Sequence, residues 1–561
     1  MCGITGIVGP GAEDKGLVRS MMSRVAHRGP DDTGLFQDAD CALGHTRLAI
    51  IDVSGGHEPI FDAEGTRAII YNGEIYNHVA LRKGLEAEGC RFKTRTDAEV
   101  PLHLLATEEG RKDPGSVLSR LDGMFSFTIW DSERRELFAA RDPHGIKPFF
   151  WTRVDDAFLY ASEMKALLAH PDVPAVLDAD AVREKACFEY VLPGSTYLEG
   201  IHELPPGHFL VTDGREVRIQ AYYDDPPAAL PADPDALAEH LHGLVVEAVR
   251  KRLMSEVPLG VVLSGGLDSS YIAAVDRELD PDRKVTTISV AEDERNIDFE
   301  KARLVAETLG TDHHEWFFDG EDLERDLTSV IWSNEDIDYT TYFFYPLFRK
   351  MKGIATVGLC GQGADEVFGG YDRYKDLISH AALIRARTER AFPDDPTRHD
   401  ALLSAHYGAG LQENLTWERG PQLNQFQLRL VDRNSMAFGT EIRVPFLDKR
   451  LVAVGKALPD DLLLRADDEK IILRKAAERT KLPKEIVGRR KLPAGRRTSP
   501  GIMQRFEEEV EKRYPDKRAK AHPYTQAFTK KAELLAVDLL EEIFVHRRGE
   551  RPTDLHWNDL V

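Results

Sequence analysis

The stretch Asp224-Asp225-Pro226-Pro227-Ala228-Ala229-Leu230-Pro231-Ala232-Asp233-Pro234 most constrains the fold, because a run of Pro, Ala and Asp has little to bury and cannot lie inside one continuous core. It divides the chain into unlike halves. Before it, short β runs at Ile4 to Val8, Ala42 to Ile51, Ala68 to Tyr71, Gly123 to Trp130 and Leu137 to Arg141 alternate with Gly and Asp turns. After it, apolar strands at Leu259 to Leu263, Val285 to Val290 and Thr356 to Cys360 alternate with helices. In the helix Glu300 to Leu309, Ala302, Val305, Ala306 and Leu309 share one face and Gly310 is placed as the C-cap. Strand, helix, strand predicts a parallel sheet. The expected organisation is a sheet-rich domain over residues 1–210, a linker over 211–236 and an α/β domain over 237–561.

At 561 residues and 42% hydrophobic, the chain is long enough for two or three cores. A net charge of -22 repels nucleic acid and anionic membrane, so a phosphate-bearing partner must be captured locally. No apolar run approaches the length of a membrane span. The five cysteines Cys2, Cys41, Cys90, Cys187 and Cys360 are scattered, without CxxC spacing, which suits a reducing cytoplasm and neither a disulfide frame nor a zinc site. A cytoplasmic small-molecule enzyme is the expected class.

Cys2 carries the first chemical signal. If Met1 is removed, one residue bears both a thiol and a free amine, with ordinary pKa values of about 8.5 and about 8. The amine can then take the thiol proton, so the N-terminus serves as general base. Groups suited to a free amino acid lie near in sequence. Arg47 suits a bidentate pair with an α-carboxylate, Glu74 or Asp97 suits an α-ammonium, and Asn72 with the Gly73 N–H suits an oxyanion.

Cys2-Gly3-Ile4, His27-Arg28-Gly29-Pro30-Asp31, Gly44-His45-Thr46-Arg47-Leu48, Tyr71-Asn72-Gly73-Glu74-Ile75-Tyr76-Asn77 and Arg95-Thr96-Asp97-Ala98-Glu99, in that order, resemble the glutaminase domain of N-terminal-nucleophile (class II) glutamine amidotransferases. The resemblance covers roughly the first 200 residues and implies a four-layer αββα Ntn-hydrolase fold. It also implies residue roles: Cys2 attacks the glutamine amide, Asn72 and Gly73 hold the oxyanion, and Arg47, Leu48, Ile51, Glu74 and Asp97 bind the amino acid.

In the second half, Val261-Val262-Leu263-Ser264-Gly265-Gly266-Leu267-Asp268-Ser269-Ser270 reads as a buried strand, a Gly-rich turn and a helix start, a ready anion cradle. No Lys-Ser/Thr follows the glycines, so it is not a Walker A loop. It resembles the pyrophosphate loop of the ATP pyrophosphatases, a doubly wound parallel-sheet fold of the adenine nucleotide alpha hydrolase type. With Gly361-Gln362-Gly363-Ala364-Asp365-Glu366, Asp432-Arg433-Asn434-Ser435-Met436-Ala437, Glu441-Ile442-Arg443-Val444-Pro445 and Lys470, it is similar to the synthetase domain of the glutamine-hydrolysing asparagine synthetase family. That resemblance implies ATP bound by residues 262–270, Val290, Cys360 and Gly361, with Mg2+ held by Asp268 and Asp365 and pyrophosphate neutralised by Lys470. It implies an acceptor pocket of Thr340, Thr341, Phe343, Gln362, Gly363, Asp365 and Glu366, and a sequestered ammonia passage; a homodimer is among the assemblies it allows. Adjacent His313 and His314, with no third ligand, read as structural. The basic run Arg489-Arg490-Lys491 with Arg496 and Arg497 reads equally as a lid over phosphate or a solvated surface.

Two positions depart from the family pattern. Gln362 stands where a Glu is common, and Phe343 stands where an Arg is common, which removes a carboxylate contact and adds aromatic surface. The leading expectation is ATP-dependent amidation of a carboxylate, most simply aspartate, with nitrogen from glutamine. The alternative keeps both half-reactions and changes the acceptor to a larger carboxylate. A ring-closing relative and a catalytically silent sensor are weighed against by the intact Cys2 motifs and by Ser264 to Ser270.

Overall fold

The computed structural model describes residues 2–224, 226–406, 410–491 and 500–561. Two six-stranded antiparallel sheets build the N-terminal half. The first runs His202–Glu203, Phe150–Val154, Ala157–Ala161, Gly3–Val8, Cys41–Arg47, Asp32–Gln37, so the strand that follows Cys2 is interior to its sheet. The second runs Val217–Ala221, His208–Thr212, Glu136–Arg141, Gly123–Asp131, Arg67–Ile75, Ile60–Phe61. The helix Lys15–Arg24 packs on the first sheet and the helices His78–Ala87 and Glu99–Leu104 lie on the outer side of the second, giving the expected four layers. Strands Gly3–Val8 and Cys41–Arg47 face Arg67–Ile75 across the inter-sheet core, so Cys2 looks onto Asn72.

Three boundaries differ from the sequence reading. Val217–Ala221 falls in the expected linker, yet it pairs residue for residue with His208–Thr212, so the sheet continues to Ala221 and the connection is shorter than 211–236. The apolar run from Ala42 stops being a strand at Arg47, because Leu48 and Ile50 leave the ladder to pack on Val357 of the second half. Asn72 and Gly73, a dipeptide common in hairpin turns, lie inside the strand Arg67–Ile75. A Cβ on Gly73 would stand 2.1 Å from the Met124 carbonyl oxygen of the neighbouring strand, so only glycine allows this approach.

The C-terminal half holds a five-stranded, wholly parallel sheet in the order Asp312–Phe317, Thr286–Ala291, Leu259–Val262, Val357–Leu359, Glu441–Arg443. The chain winds outward from Leu259–Val262 in one direction and resumes on its other side with Val357–Leu359. The loops after these two central strands therefore diverge and leave a crevice at the switch point. The helix Ile297–Leu309 ends on left-handed Gly310, as its sequence predicts. No helix among the described residues is long and apolar enough to cross a membrane.

The N-terminal half has two apolar clusters of its own, around Phe125 and around Trp130, but the two largest clusters are shared between the halves. One apolar cluster runs from Ile7 and Val18 through Tyr197 to Ile331 and Leu535, and a second joins Tyr76, Met124 and Ile146 to the helices around the parallel sheet. Buried charges cross the same seam. Arg28 donates to Asp432 at 2.9 and 3.3 Å across 404 residues of sequence, and Arg433 pairs with Glu163 at 2.8 Å and Glu335 at 2.9 Å. All five side chains are buried. Removing one member of such a network leaves its partners charged and unsolvated, a cost of about 3–5 kcal/mol, whereas an exposed pair contributes at most about 1 kcal/mol.

Arg433→Met is accordingly expected to destabilise the chain by about 3–5 kcal/mol in urea denaturation, and Arg120→Met, which breaks an exposed pair with Glu109, by less than about 1 kcal/mol. Burial raises Glu163, but Lys165, His27 and Arg433 more than reverse this and hold it well below the usual carboxylate range. A depressed folded-state pKa contributes stability that is complete above the unfolded value, about 4.5, and drains as pH falls toward the folded one. Stability should therefore decline on acidification below about pH 4.5, which an acid titration followed by tryptophan fluorescence will check.

Candidate active site

At the first site, the backbone N–H of Cys2 donates to Asn72 Oδ1 at 3.0 Å, and its carbonyl accepts from Arg28 Nε at 3.0 Å. With its oxygen held, Asn72 presents Nδ2 as a buried donor that has no partner. An unused buried donor costs roughly 1–3 kcal/mol, a penalty that an oxyanion at that position would remove. Burial pushes the Cys2 thiol up, while the Leu48 N–H and Arg47 pull it down. Arg47 donates from Nη1 to Val53 O at 3.1 Å and from Nη2 to Asp52 O at 2.8 Å and Ile51 O at 3.3 Å, so the guanidinium folds the loop after its own strand around itself.

Asp97 accepts from the Tyr71 hydroxyl at 2.8 Å and the Ile75 N–H at 2.7 Å, which ties it to the strand carrying Asn72. Glu74 meets Arg443 of the second half at 3.2 Å and keeps its other oxygen, Oε2, buried without a hydrogen bond. Burial and Glu441 hold it well above the usual carboxylate range, against the pull of Arg443. A cation placed at Oε2 would add to the pull of Arg443 and favour the ionised carboxylate. The structure thus gathers Cys2, Arg47, Leu48, Asn72, Glu74 and Asp97 into one buried cluster, with Gly73 on the same strand as Asn72 and Ile51 contributing its carbonyl to the Arg47 loop.

The second site lies in the switch-point crevice. It is lined by Val262, Leu263, Ser264, Gly266, Leu267, Asp268 and Ser269 from the first loop and by Cys360, Gly361, Gln362 and Asp365 from the second. The helix Leu267–Leu279 starts from Gly266 with no side chain capping it, so its first-turn N–H groups point toward the crevice. Gly265 has φ +67°, and a Cβ there would come within 2.5 Å of the Ala302 nitrogen, which is why the turn needs glycine. Ser264 and Ser269 hydroxyls lie 3.1 Å apart and brace it. Ile288, Val290, Phe299 and Leu347 form an apolar wall opposite.

Asp268 and Asp365 converge on one cation, the Lys470 ammonium, which is 2.6 and 2.7 Å from the two oxygens of Asp268 and 2.6 Å from Asp365. Lys491 adds a second ammonium 2.7 Å from Asp365. Burial pushes Asp365 up, but Lys470 and Lys491 outweigh it and hold the carboxyl at about 2. Two carboxylates able to share one cation in a pocket with an anion-binding turn fit magnesium, which prefers carboxylate and phosphate oxygens. Glu366, behind them, is driven up to about 7 by burial and Asp365 and accepts from the Tyr371 hydroxyl at 2.8 Å.

Part of the expected acceptor set lies elsewhere. Phe343 and Gln362 line the crevice, but Thr340 and Thr341 do not. Both threonine hydroxyls donate to Asp338 Oδ1 at 3.1 Å, which folds the segment into a turn, and Thr340 faces a separate cavity beside Lys185 and Tyr339. Gly265, Ser270, Gly363 and Glu366 shape the loops without lining the crevice. Of the basic run, Arg489 donates to the Gly265 carbonyl at 2.8 Å and, with Arg490 and Lys491, lines the crevice; Arg496 and Arg497 lie outside the described residues. His313 donates to or accepts from Thr287 Oγ1 at 2.9 Å, and no metal-spaced cluster includes it or His314 among the described residues.

Sequence reasoning assigned no role to Glu256, whose carboxylate accepts the N–H groups of Asp52 and Val53 at 3.2 Å and so fixes the Arg47 loop from the second half. It also assigned none to His45 and Glu58, both buried beside Cys2. Burial pushes Glu58 up to about 8, with His45 lowering it and Cys2 raising it, and burial also lowers His45. His45 stands in a motif that marks the pocket; Glu256 and Glu58 carry no local signal.

Residues 1–223 match the family model described as glutamine amidotransferase domain, and residues 240–555 match that described as asparagine synthase. Asparagine synthetase [glutamine-hydrolyzing] 1 of Bacillus subtilis (strain 168) is 31% identical over 560 residues, covering 88% of this chain and 86% of that protein. Asparagine synthetase [glutamine-hydrolyzing] 3 of the same organism is 33% identical, with the same coverage of both chains. Asparagine synthetase [glutamine-hydrolyzing] 3 of Arabidopsis thaliana is 33% identical, covering 88% of this chain and 78% of that one. With both halves matched in order and the two pockets built from the matching motifs, the chain belongs to the glutamine-hydrolysing asparagine synthetase family.

Proposed function

We propose that this chain amidates a carboxylate, taking nitrogen from glutamine at Cys2 and activating the acceptor with ATP in the switch-point crevice. The reading rests chiefly on the unpartnered Nδ2 of Asn72 aimed beside Cys2 in the same molecule as an uncapped Ser-Gly-Gly turn facing paired carboxylates and lysines. At the first site the thiolate attacks the glutamine side-chain carbonyl, and Asn72 and the Gly73 N–H receive the oxyanion. The Cys2 amine, once Met1 is removed, takes the thiol proton and returns it to the departing ammonia. Water then releases glutamate from the thioester. Arg47 and the loop it organises suit the α-carboxylate of glutamine, while Glu74 and Asp97 suit its ammonium.

At the second site the acceptor carboxylate attacks the α-phosphorus of ATP and pyrophosphate leaves; ammonia then displaces AMP from the acyl-adenylate. The turn at Ser264–Ser270 suits the pyrophosphate, and Lys470, Lys491 and Arg489 offset its charge. Asp268 and Asp365 are the residues that would hold magnesium, which would neutralise phosphate charge there. Aspartate is the leading acceptor, in line with the names of the relatives. A larger carboxylate is the second reading, favoured by Phe343 and Gln362 both lining the crevice.

Three outcomes are expected. Release of AMP and glutamate in the presence of glutamine and ATP should rise on adding aspartate, with asparagine formed one for one; glutaminase activity that ignores aspartate would move the acceptor to the second reading. Asn72→Ala should lower glutamate release about 100- to 1,000-fold in steady-state assays while ammonia-supported AMP release persists. Asp268→Ala should do the opposite, abolishing AMP release and leaving glutamate release measurable.

A further inference from the structure

Two buried donor groups, His45 and Glu58, stand beside the Cys2 thiol without a part in glutamine hydrolysis. A thiol sulfur from Cys2, a ring nitrogen from His45 and a carboxylate oxygen from Glu58 lie within 4.8 Å of one another, and all three side chains are buried. Among the described residues, no other group of three or more His, Cys, Asp or Glu side chains meets this spacing. The cluster is held from three directions. Cys2 is fixed through its backbone by Asn72 and Arg28. His45 Nε2 sits 3.0 Å from the Tyr71 carbonyl, and Glu58 Oε2 accepts the Tyr71 N–H at 2.6 Å. His45 Nδ1 is buried with no partner, so the imidazole carries a polar atom that nothing in the fold satisfies.

We propose that Cys2, His45 and Glu58 form a binding site for a divalent cation of the zinc type, whose occupancy blocks the nucleophile and reversibly shuts off glutamine use. Sulfur, imidazole nitrogen and one carboxylate oxygen are the donors zinc takes, at about 2.0–2.3 Å each, which sets tetrahedral ligands about 3.5 Å apart. The ligand atoms lie within 4.8 Å of one another, so ligation draws the three side chains inward by about 1 Å at most. With Met1 removed, the α-nitrogen of Cys2 completes a five-membered chelate with Sγ and provides a fourth ligand. Binding exchanges protons for the metal: the Cys2 S–H bond breaks as the S–metal bond forms, Glu58, which burial holds at about 8, gives up its carboxyl proton, the Cys2 ammonium gives up one of its own, and all of these protons leave to solvent. No oxidant or reductant is involved. Magnesium, which takes oxygen ligands, is directed instead to Asp268 and Asp365, so the two pockets of one chain sort cations by donor type.

The inhibitory part of the proposal rests on Cys2 being the glutaminase nucleophile; the binding part does not. Titrating the full-length protein with Co2+ reads binding by itself, because thiolate ligation produces a thiolate-to-cobalt charge-transfer band that carboxylate sites do not. One equivalent should develop that band, and Zn2+ should displace it. Cys2→Ala should lose the band, and His45→Gln and Glu58→Gln should each weaken metal affinity by roughly tenfold or more while retaining wild-type circular dichroism. In the wild type, Zn2+ should suppress glutamate release over the same concentration range that displaces cobalt, and ammonia-supported AMP release should persist. Absence of the band, or a band of unchanged affinity in both His45→Gln and Glu58→Gln, overturns the site. A normal band in a protein that never releases glutamate instead points to failure of the glutaminase reading, with the metal site intact.

Discussion

The structure depends on a set of buried charges that only the two halves together can neutralise. Arg28 binds the Cys2 carbonyl with one nitrogen and Asp432 with the others, so the residue that positions the N-terminal pocket is itself held by a helix of the C-terminal half. Glu163 receives Arg28, Lys165 and Arg433, and Glu335 receives Lys165 and Arg433. In a dry interior each ion would cost several kcal/mol without its partners, so a placement of the halves that left these charges buried and unpaired is disfavoured. Arg443 with Glu74, and Glu256 with the loop around Arg47, extend the same dependence to the pocket that faces Cys2.

The second pocket follows from topology. A parallel sheet wound outward in both directions leaves its two central loops without a crossing connection between them, and here those loops carry the Ser-Gly-Gly turn and Gly361-Gln362. Two carboxylates in such a place would repel one another. Lys470 and Lys491 screen that repulsion. Lys470 does so from a left-handed backbone conformation, φ 55°, unusual for a residue with a Cβ and therefore imposed by its surroundings.

Much of this was legible in the chain. The Pro-rich seam, the short β runs and the apolar strands separated the halves, and five ordered motifs located the first pocket. Cys2, Asn72, Glu74 and Asp97 do converge, because three of them lie on or against the single strand Arg67–Ile75. The turn at Ser264–Ser270 could be read because glycines, hydroxyls and a helix start are local features. Legibility failed where a segment answers to distant partners. Leu48 and Ile50 read as strand until Val357 draws them away, and Val217–Ala221 reads as linker because it is a five-residue edge strand, almost wholly exposed, that runs straight into the Pro-rich stretch.

Sequence alone determined the chemistry of the groups: a thiol at the second residue, an Asn-Gly pair of donors, a Ser-Gly-Gly turn at a helix start and the lysine beyond it. These follow from residue type and near-neighbour spacing, which backbone geometry converts directly into local shape. Tertiary structure alone decided which groups share a pocket. It put Phe343 and Gln362 in the crevice and turned Thr340 and Thr341 away toward Asp338, gave the basic run at Arg489 to Lys491 its place beside the Ser-Gly-Gly turn, and set His45 and Glu58 against Cys2. The physical reason is that these contacts join strands and loops far apart in the chain, and their strength depends on burial, which no local stretch of sequence contains.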